Sequence, residues 1–326
     1  MVTLLDKILS RKPEPAESGK SERITPAKVE EYFKLAENWA DIRQIMVNVN
    51  YFLGNQWIGW NRAERRIQVL PPEPNQVRIA VNKIRPRIMT LLAKHTKNKI
   101  KFDVTPASRE QSDIDTARAA DKFLRGLWGE LDMDRKTRDI FLNVLVKKRC
   151  WLKIWFDPDA GDDITPQEGD PGYEEWAKGK RRPIRTGKIC ARVCDALEIF
   201  ADPAAKNEDE IRWIVERVAV DVDEIYERYG VEVAPDANLD FLTTYDLTHM
   251  TTDGIGMYEV QKQQNKALVY ELWMKPCHKY PRGAKITVAG GKELDYDENA
   301  GDLPYVLFGG IPIPGSILYD AMVTDM

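Results

Sequence analysis

The chain has no apolar run approaching the roughly 18 to 20 residues that crossing a bilayer requires. Its opening, MVTLLDKILSRK, has a short apolar stripe but no signal-peptide core or cleavage site, so the cytoplasm is the expected compartment. Histidine is scarce. There are three, His95, His249 and His278, and none lies near a G-x-S-x-G elbow. The phosphate-cradling sequence G-x-x-x-x-G-K-[ST] is missing, which excludes an ATP motor of that design. The nearest glycine-rich fragment, GIG at 254–256, lacks a third glycine and a strand-turn-helix setting. Cysteine is also sparse: Cys150, Cys190, Cys194 and Cys277 form no C-x-x-C pair. Four residues of strand put Cys190 and Cys194 roughly 13 Å apart, too far for a disulfide. All four are expected to be reduced core residues. Cys277 and His278 are adjacent, with no partners at zinc spacing.

Strong charge imbalance is absent too. Lys and Arg total 48 against 52 Asp and Glu, a net charge of −4. That balance does not suit a chain gripping DNA phosphates over its whole surface. One acidic stretch imitates a calcium loop, with Asp157, Asp159 and Glu168 at positions 1, 3 and 12. The frame then places Gly161 and Asp162 where an oxygen ligand and a glycine belong, and Pro158 and Pro166 fit it poorly. An exposed acidic loop is the expectation. No cofactor and no metal is predicted, and no catalytic cluster.

The 326 residues carry 43% hydrophobic side chains, nine Trp and twelve Tyr. This is ordinary globular composition with large anchors for a core or for interfaces. Residues 1–25 are rich in Pro, Ser, Glu and Lys after the first ten and predict an arm, disordered by itself, with a short amphipathic helix at Leu4 to Leu9. From Thr25 as N-cap and Pro26 at the first helical position, Val29, Tyr32, Phe33, Leu35, Ala36, Trp39, Ile42, Ile45, Met46 and Val49 keep helical spacing. One long helix is predicted. It ends in the knot YFLGNQW, where Tyr51, Phe52 and Trp57 fold back over the last turn and Gly54-Asn55 makes the bend.

PPEP at 71–74 breaks the chain. In the next stretch Val77, Ile79 and Val81 alternate as in a strand, and Pro86 predicts a strand-like start or a kink near Ile84. KIKFDVTP (99–106) predicts a short strand. Two helices follow, one capped by Ser108 with Ile114, Ala117, Phe123, Leu124, Leu127 and Trp128 as its stripe, the other from about Asp134 to Lys148. Strands then dominate: CWLKIWFD, IRTGKICARVCDALEIFADP, EIRWIVERVAV and a late meander with Gly290-Gly291 as a hairpin turn. A short helix is expected between Asp221 and Gly230. Ser316 is the expected cap of a last helix with Ile317, Met322 and Val323 as its stripe. Helices followed by strands define an α+β fold, divided as an arm (1–25), a helical part (26–149), a β-rich part (150–315) with an exposed loop (158–183), and a helix start (316–326). Candidate interface or packing residues are Tyr32, Trp39, Tyr51, Phe52 and Trp57. Two basic runs, KHTKNKIK and KGKRRPIR, supply candidate contacts to DNA or to an acidic partner: Lys94, Lys97, Lys99, Lys101, Lys180, Arg181 and Arg182. A solvated face is the plain alternative for both runs.

Several of these stretches together resemble the portal proteins of tailed bacteriophages. The leading helix ending in YFLGNQW is similar to the family's aromatic-Gly-x-Gln-Trp turn, and VNKIRPRIMTLLAKHTKNKIKFDVTP to its Asn-x-Ile-x-Pro helix and following strand. DKFLRGLWGELDMDRKTRDIFLNVLVKKRCWLKIWFD resembles the helix pair that leads into a strand, where many members have a glycine in place of Arg149-Cys150. VCDALEIFADPAA resembles the strand that ends in Asp-Pro, and GDLPYVLFGGIPIPGSILYDAMVTD the last wing strand and approach to the stem. The resemblance implies a portal wing-type domain and a homo-oligomeric ring of about twelve copies at one capsid vertex. It also implies capsid and scaffolding proteins, a terminase motor and tail adaptors as partners, with double-stranded DNA passing through unread and no membrane. Portals usually continue into a stem, clip, second stem helix and crown, so the expectation is a wing portion truncated before them. A head-to-tail adaptor or other capsid-associated binding module is the alternative. A metal-dependent nuclease built on FDPDAGDD is a weaker one.

Overall fold

The structure, a computed structural model, describes residues 23–61, 66–100, 103–158, 160–165, 184–236 and 265–324. The predicted arm falls outside them except for its last residues. So do Lys101, Asp159, Glu168, Lys180, Arg181, Arg182, His249 and the GIG fragment.

The helices come first. α1 (Pro26–Ala36) starts at the expected proline after Thr25. The predicted long helix is two helices, because Glu37 is extended (φ −69°, ψ 102°). Asn38 then opens α2 (Trp39–Leu53), its carbonyl accepting from the Ile42 N–H at 3.0 Å. An Asn within an apolar stripe offers its own oxygens to the next turn, so it ends one helix and begins another. Tyr51 and Phe52 sit in the last turn of α2 rather than folding back over it. Gly54 supplies the bend at φ 99°, where a side chain would be strained.

A small hairpin, β1 (Ile58–Asn61) with β2 (Arg66–Val69), follows. Residues 76–83 form no helix or strand, and α3 (Ile84–Thr96) starts two residues before Pro86. In the first turn no N–H is needed, so the proline starts the helix instead of kinking it. The strand expected over 99–106 is not formed at residues 99–100 or 103–106. α4 (Gln111–Glu130) begins after Glu110, with Ser108 accepting from the Glu110 N–H at 3.1 Å instead of capping the helix proper. α5 (Met133–Lys147) completes the set before β3.

Two sheets carry the rest. One has three antiparallel strands in the order β10 (Tyr305–Gly309), β3 (Arg149–Asp157), β4 (Lys188–Cys194). The other is an antiparallel sheet running β5 (Ile199–Ala201), β6 (Trp213–Asp221), β7 (Lys266–Met274), β8 (Ala284–Ala289), β9 (Lys292–Asp297). Helix α6 (Val222–Tyr229) hangs from β6, capped by the Asp221 carboxylate and ended by Gly230 at φ 68°, as the sequence predicts. The β8–β9 turn is Gly290-Gly291, both with positive φ, the type I′ geometry that suits a twisted hairpin. β11 (Ile311–Pro312) pairs with β12 (Tyr319–Asp320), which corrects the helix expected from Ser316. The Ser316 hydroxyl accepts from the Leu318 N–H and stabilises this return, and a single turn follows at 321–324.

Alternation along each strand creates layers. Trp213, Val215 and Leu272 face α1, where Phe33 meets Phe200 and Tyr270 edge-on at 4.8 and 5.2 Å. The opposite face of that sheet presents Ile214, Glu216, Glu271 and Trp273 to the three-stranded sheet. The same main core takes in Ile45 and Met46 of α2, Ile88 and Leu92 of α3, and Leu145 and Val146 of α5. The fold is α+β, with helices against antiparallel sheets. Of the cysteines, Cys150 and Cys194 are buried, Cys190 half-buried and Cys277 exposed, so Cys277 is not the core residue expected of it.

Candidate interaction surfaces and charged joints

Charge inside the fold concentrates between the two sheets. Lys153 of β3 reaches Glu216 and Glu271 at 2.6 Å each. Arg192 pairs with the other Glu216 oxygen, the Tyr305 hydroxyl donates to Glu216 at 2.7 Å, and the Trp273 indole donates to Glu271. Burial opposes ionisation of Glu271, but the Lys153 charge and the hydrogen bonds from Lys153 and Trp273 outweigh it and hold its carboxyl below the ordinary range. Burial pushes the Tyr305 phenol well up, so it remains a donor. The cluster ties β3, β4 and β10 to β6 and β7. Its signal in the sequence is a charged pair, Glu216-Arg217, in the middle of an otherwise apolar strand. Such a pair is tolerated inside only when partnered.

A second joint lies where α5 meets β3. Lys148 has φ 73°, a conformation that favours glycine. Its ammonium contacts Asp41 at 3.1 Å and Asp320 at 3.5 Å, and Arg149 approaches the other Asp41 oxygen at 2.6 Å. Buried ion pairs therefore hold a lysine where the backbone alone prefers glycine. Nearby, Lys147 pairs with Asp195. Burial pushes the Cys150 thiol well above its usual value, as for an inert core residue.

Each expected surface residue has a definite place. Tyr32 packs on Trp213 with ring centroids 4.7 Å apart. Tyr51 and Phe52 pack against the main core. Trp57 is partly exposed, with the Arg78 guanidinium 4.7 Å over its ring. Trp39 lies at the start of α2, and its side chain is outside the description. Lys94 and Lys97 are exposed at the end of α3, while Lys99 pairs with Asp134 at 2.6 Å. His95 stacks on Phe141 at 5.4 Å. Among the described residues no group of three or more His, Cys, Asp or Glu is arranged to hold a metal ion. None of the described helices is long and apolar enough to cross a membrane.

Two features escaped the motif search. No acidic residue occurs between Glu73 and Asp103, whereas Arg78, Lys83, Arg85, Arg87, Lys94, Lys97, Lys99 and Lys101 all lie there. Charge counted over the whole chain hides this local excess. The other feature is a clamp. Asn82 donates to the Phe52 carbonyl at 2.9 Å and accepts from the Arg85 N–H at 3.0 Å, joining the end of α2 to the start of α3. It brings together the two stretches, YFLGNQW and VNKIRP, whose order suggested a phage origin.

No curated protein shows a significant match to the chain. A family profile described as phage P22-like portal protein matches residues 30–289, which takes in most of α1, helices α2 to α6, strands β1 to β8, and Lys153, Arg192, Glu216 and Glu271 of the ionic cluster. The chain belongs to the phage P22-like portal protein family.

Proposed function

We propose that this chain is a structural subunit of a portal ring at a phage capsid vertex, forming part of the passage for DNA and of the surface on which the packaging motor docks. The family match over residues 30–289 carries this reading. The architecture is compatible with it: two stacked sheets are joined by a buried ionic cluster, which suits a subunit packed repeatedly side to side. Heterologous contact between such subunits closes into a ring when the rotation per copy closes. The other partners in this reading are capsid, scaffolding and tail-adaptor proteins, and double-stranded DNA that passes without base recognition. No bond is made or broken on the chain. Light scattering on the purified full chain is the test, with electron micrographs for shape. The expected result is a mass of many copies, about twelve, in closed rings. A strict monomer at high concentration counts against the reading.

A further inference from the structure

The outer face of the three-stranded sheet is built from apolar side chains alone. Register puts Cys150, Leu152, Ile154 and Phe156 of β3 on that face. Val306 and Phe308 of β10 join them, as do Ile189, Ala191 and Val193 of β4. Helix α5 covers one end through Ile140 and Val144, which pack on Cys150 and Leu152. The other end is open: Ile154 is 42% exposed and Phe156 61%. Acidic Asp157, Asp162 and Asp163 follow directly where β3 leaves the sheet.

The segment 76–82, which forms no helix or strand, has the complementary character. Val77, Ile79 and Val81 alternate along it at 83%, 76% and 61% exposure. The segment is fixed, not loose. Arg78 donates to the carbonyls of Leu70 and Pro71, Gln56 donates to the Val81 carbonyl, and Asn82 clamps its end. Exposed basic Lys83, Arg85 and Arg87 follow it. None of the three apolar residues belongs to a core cluster, and the sheet face remains open, so neither surface covers the other within one chain.

We propose that residues 76–87 of one copy dock on the open end of the β10–β3–β4 face of a second copy, with Val77, Ile79 and Val81 over Ile154 and Phe156 and the following basic residues beside Asp157, Asp162 and Asp163. A segment with apolar residues at every second position suits a pleated apolar face. The opposite charges fix its direction. Duplex DNA would suit the basic residues but would leave the three exposed apolar ones in water. The two surfaces are distinct patches of one chain, so the contact is heterologous, the class that builds rings. The inference rests on the ring reading above and specifies the surface through which it works.

The test is cross-linking on the full chain in a Cys277→Ser background. Ile79→Cys and Phe156→Cys are placed singly in separate chains and together in one. Under mild oxidation the mixed single variants are expected to give a covalent dimer, and the double variant a ladder of chain multiples, with the background alone giving neither. Reversal of Lys83, Arg85 and Arg87 to Glu is expected to raise the concentration needed for assembly about tenfold or more. Absence of the ladder in protein that light scattering shows to be assembled overturns the interface and leaves the ring reading standing. A strict monomer without a ladder overturns both. A disulfide within one chain means that the segment covers its own sheet. Charge reversal that leaves assembly unchanged but abolishes retention of a duplex DNA probe assigns the basic stretch to DNA instead.

Discussion

Lys153 shows how a single buried charge can hold two sheets together. It lies between Glu216 and Glu271 with little solvent access. Replacing it by Met leaves two buried carboxylates without the ammonium that both share. Removing one member of such a buried pair costs about 3–5 kcal/mol, and urea unfolding is expected to show a loss of that size near neutral pH. The pH dependence has a definite sign. Glu271 has a folded pKa below its ordinary 4.5, so its contribution is present above that value and lost as pH falls through the lower one. The deficit of Lys153→Met should therefore shrink in acid, where a protonated Glu271 no longer needs the ammonium. Glu198 is the opposite case. Burial raises its pKa above the ordinary 4.5, so its contribution is present below that value and lost as pH rises through the folded one. Glu198→Gln is expected to be at least as stable as the unsubstituted chain near pH 7 and to flatten the pH profile. A clear loss of stability there would show instead an ionised carboxylate relying on Arg192.

At the scale of elements, the Asn82 clamp lets the chain pass from α2 through an unpaired segment to α3 without losing its course. Asn82→Ala removes a donor to the Phe52 carbonyl and an acceptor from the Arg85 N–H. A loss of about 1–2 kcal/mol is expected, together with faster amide exchange over 76–87, measurable by mass spectrometry. Unchanged exchange there would mean that Arg78 and Gln56 alone fix the segment. The asymmetry in what could be read from the sequence is also clearest at this scale. The cap at Asp221, the stop at Gly230 and the Gly290-Gly291 turn were legible because each rests on neighbouring backbone chemistry. The break at Glu37–Asn38 was not, because the apolar stripe continues in register across it. The pairing of Tyr319–Asp320 with Ile311–Pro312 was not legible either, since a stripe of Ile, Met and Val fits a buried return as well as a helix. Cys277 is exposed although cysteine is usually buried, because it lies in a turn closed between Cys277 and Tyr280.

For the whole molecule, the chain is a member of the phage P22-like portal protein family, and the proposed ring makes its surfaces matter more than any cleft. The aromatics chosen from the sequence as interface or packing candidates divide on inspection. Tyr32 packs inside its own chain, while Trp57 stays partly exposed beneath Arg78, at the base of the segment proposed to reach a second copy. Assembly through that segment is expected to weaken with added salt, because its charged rim is exposed and screened over about a Debye length. Light scattering across a salt series reads this, and assembly indifferent to salt would assign the contact to the apolar residues alone.

The sequence by itself determined the fold class, the order of helices before strands, the cap at Asp221, the stop at Gly230 and the turn at Gly290-Gly291. These depend on periodicity and on local backbone preference, which a few neighbouring residues carry. Only the tertiary structure decided that Lys153, Arg192, Glu216 and Glu271 meet, that Lys148 is held in a conformation that favours glycine, and which side of a sheet stays open. Those outcomes depend on strand register and layer stacking, which bring together residues from 24 to 118 positions apart, and no local pattern records that.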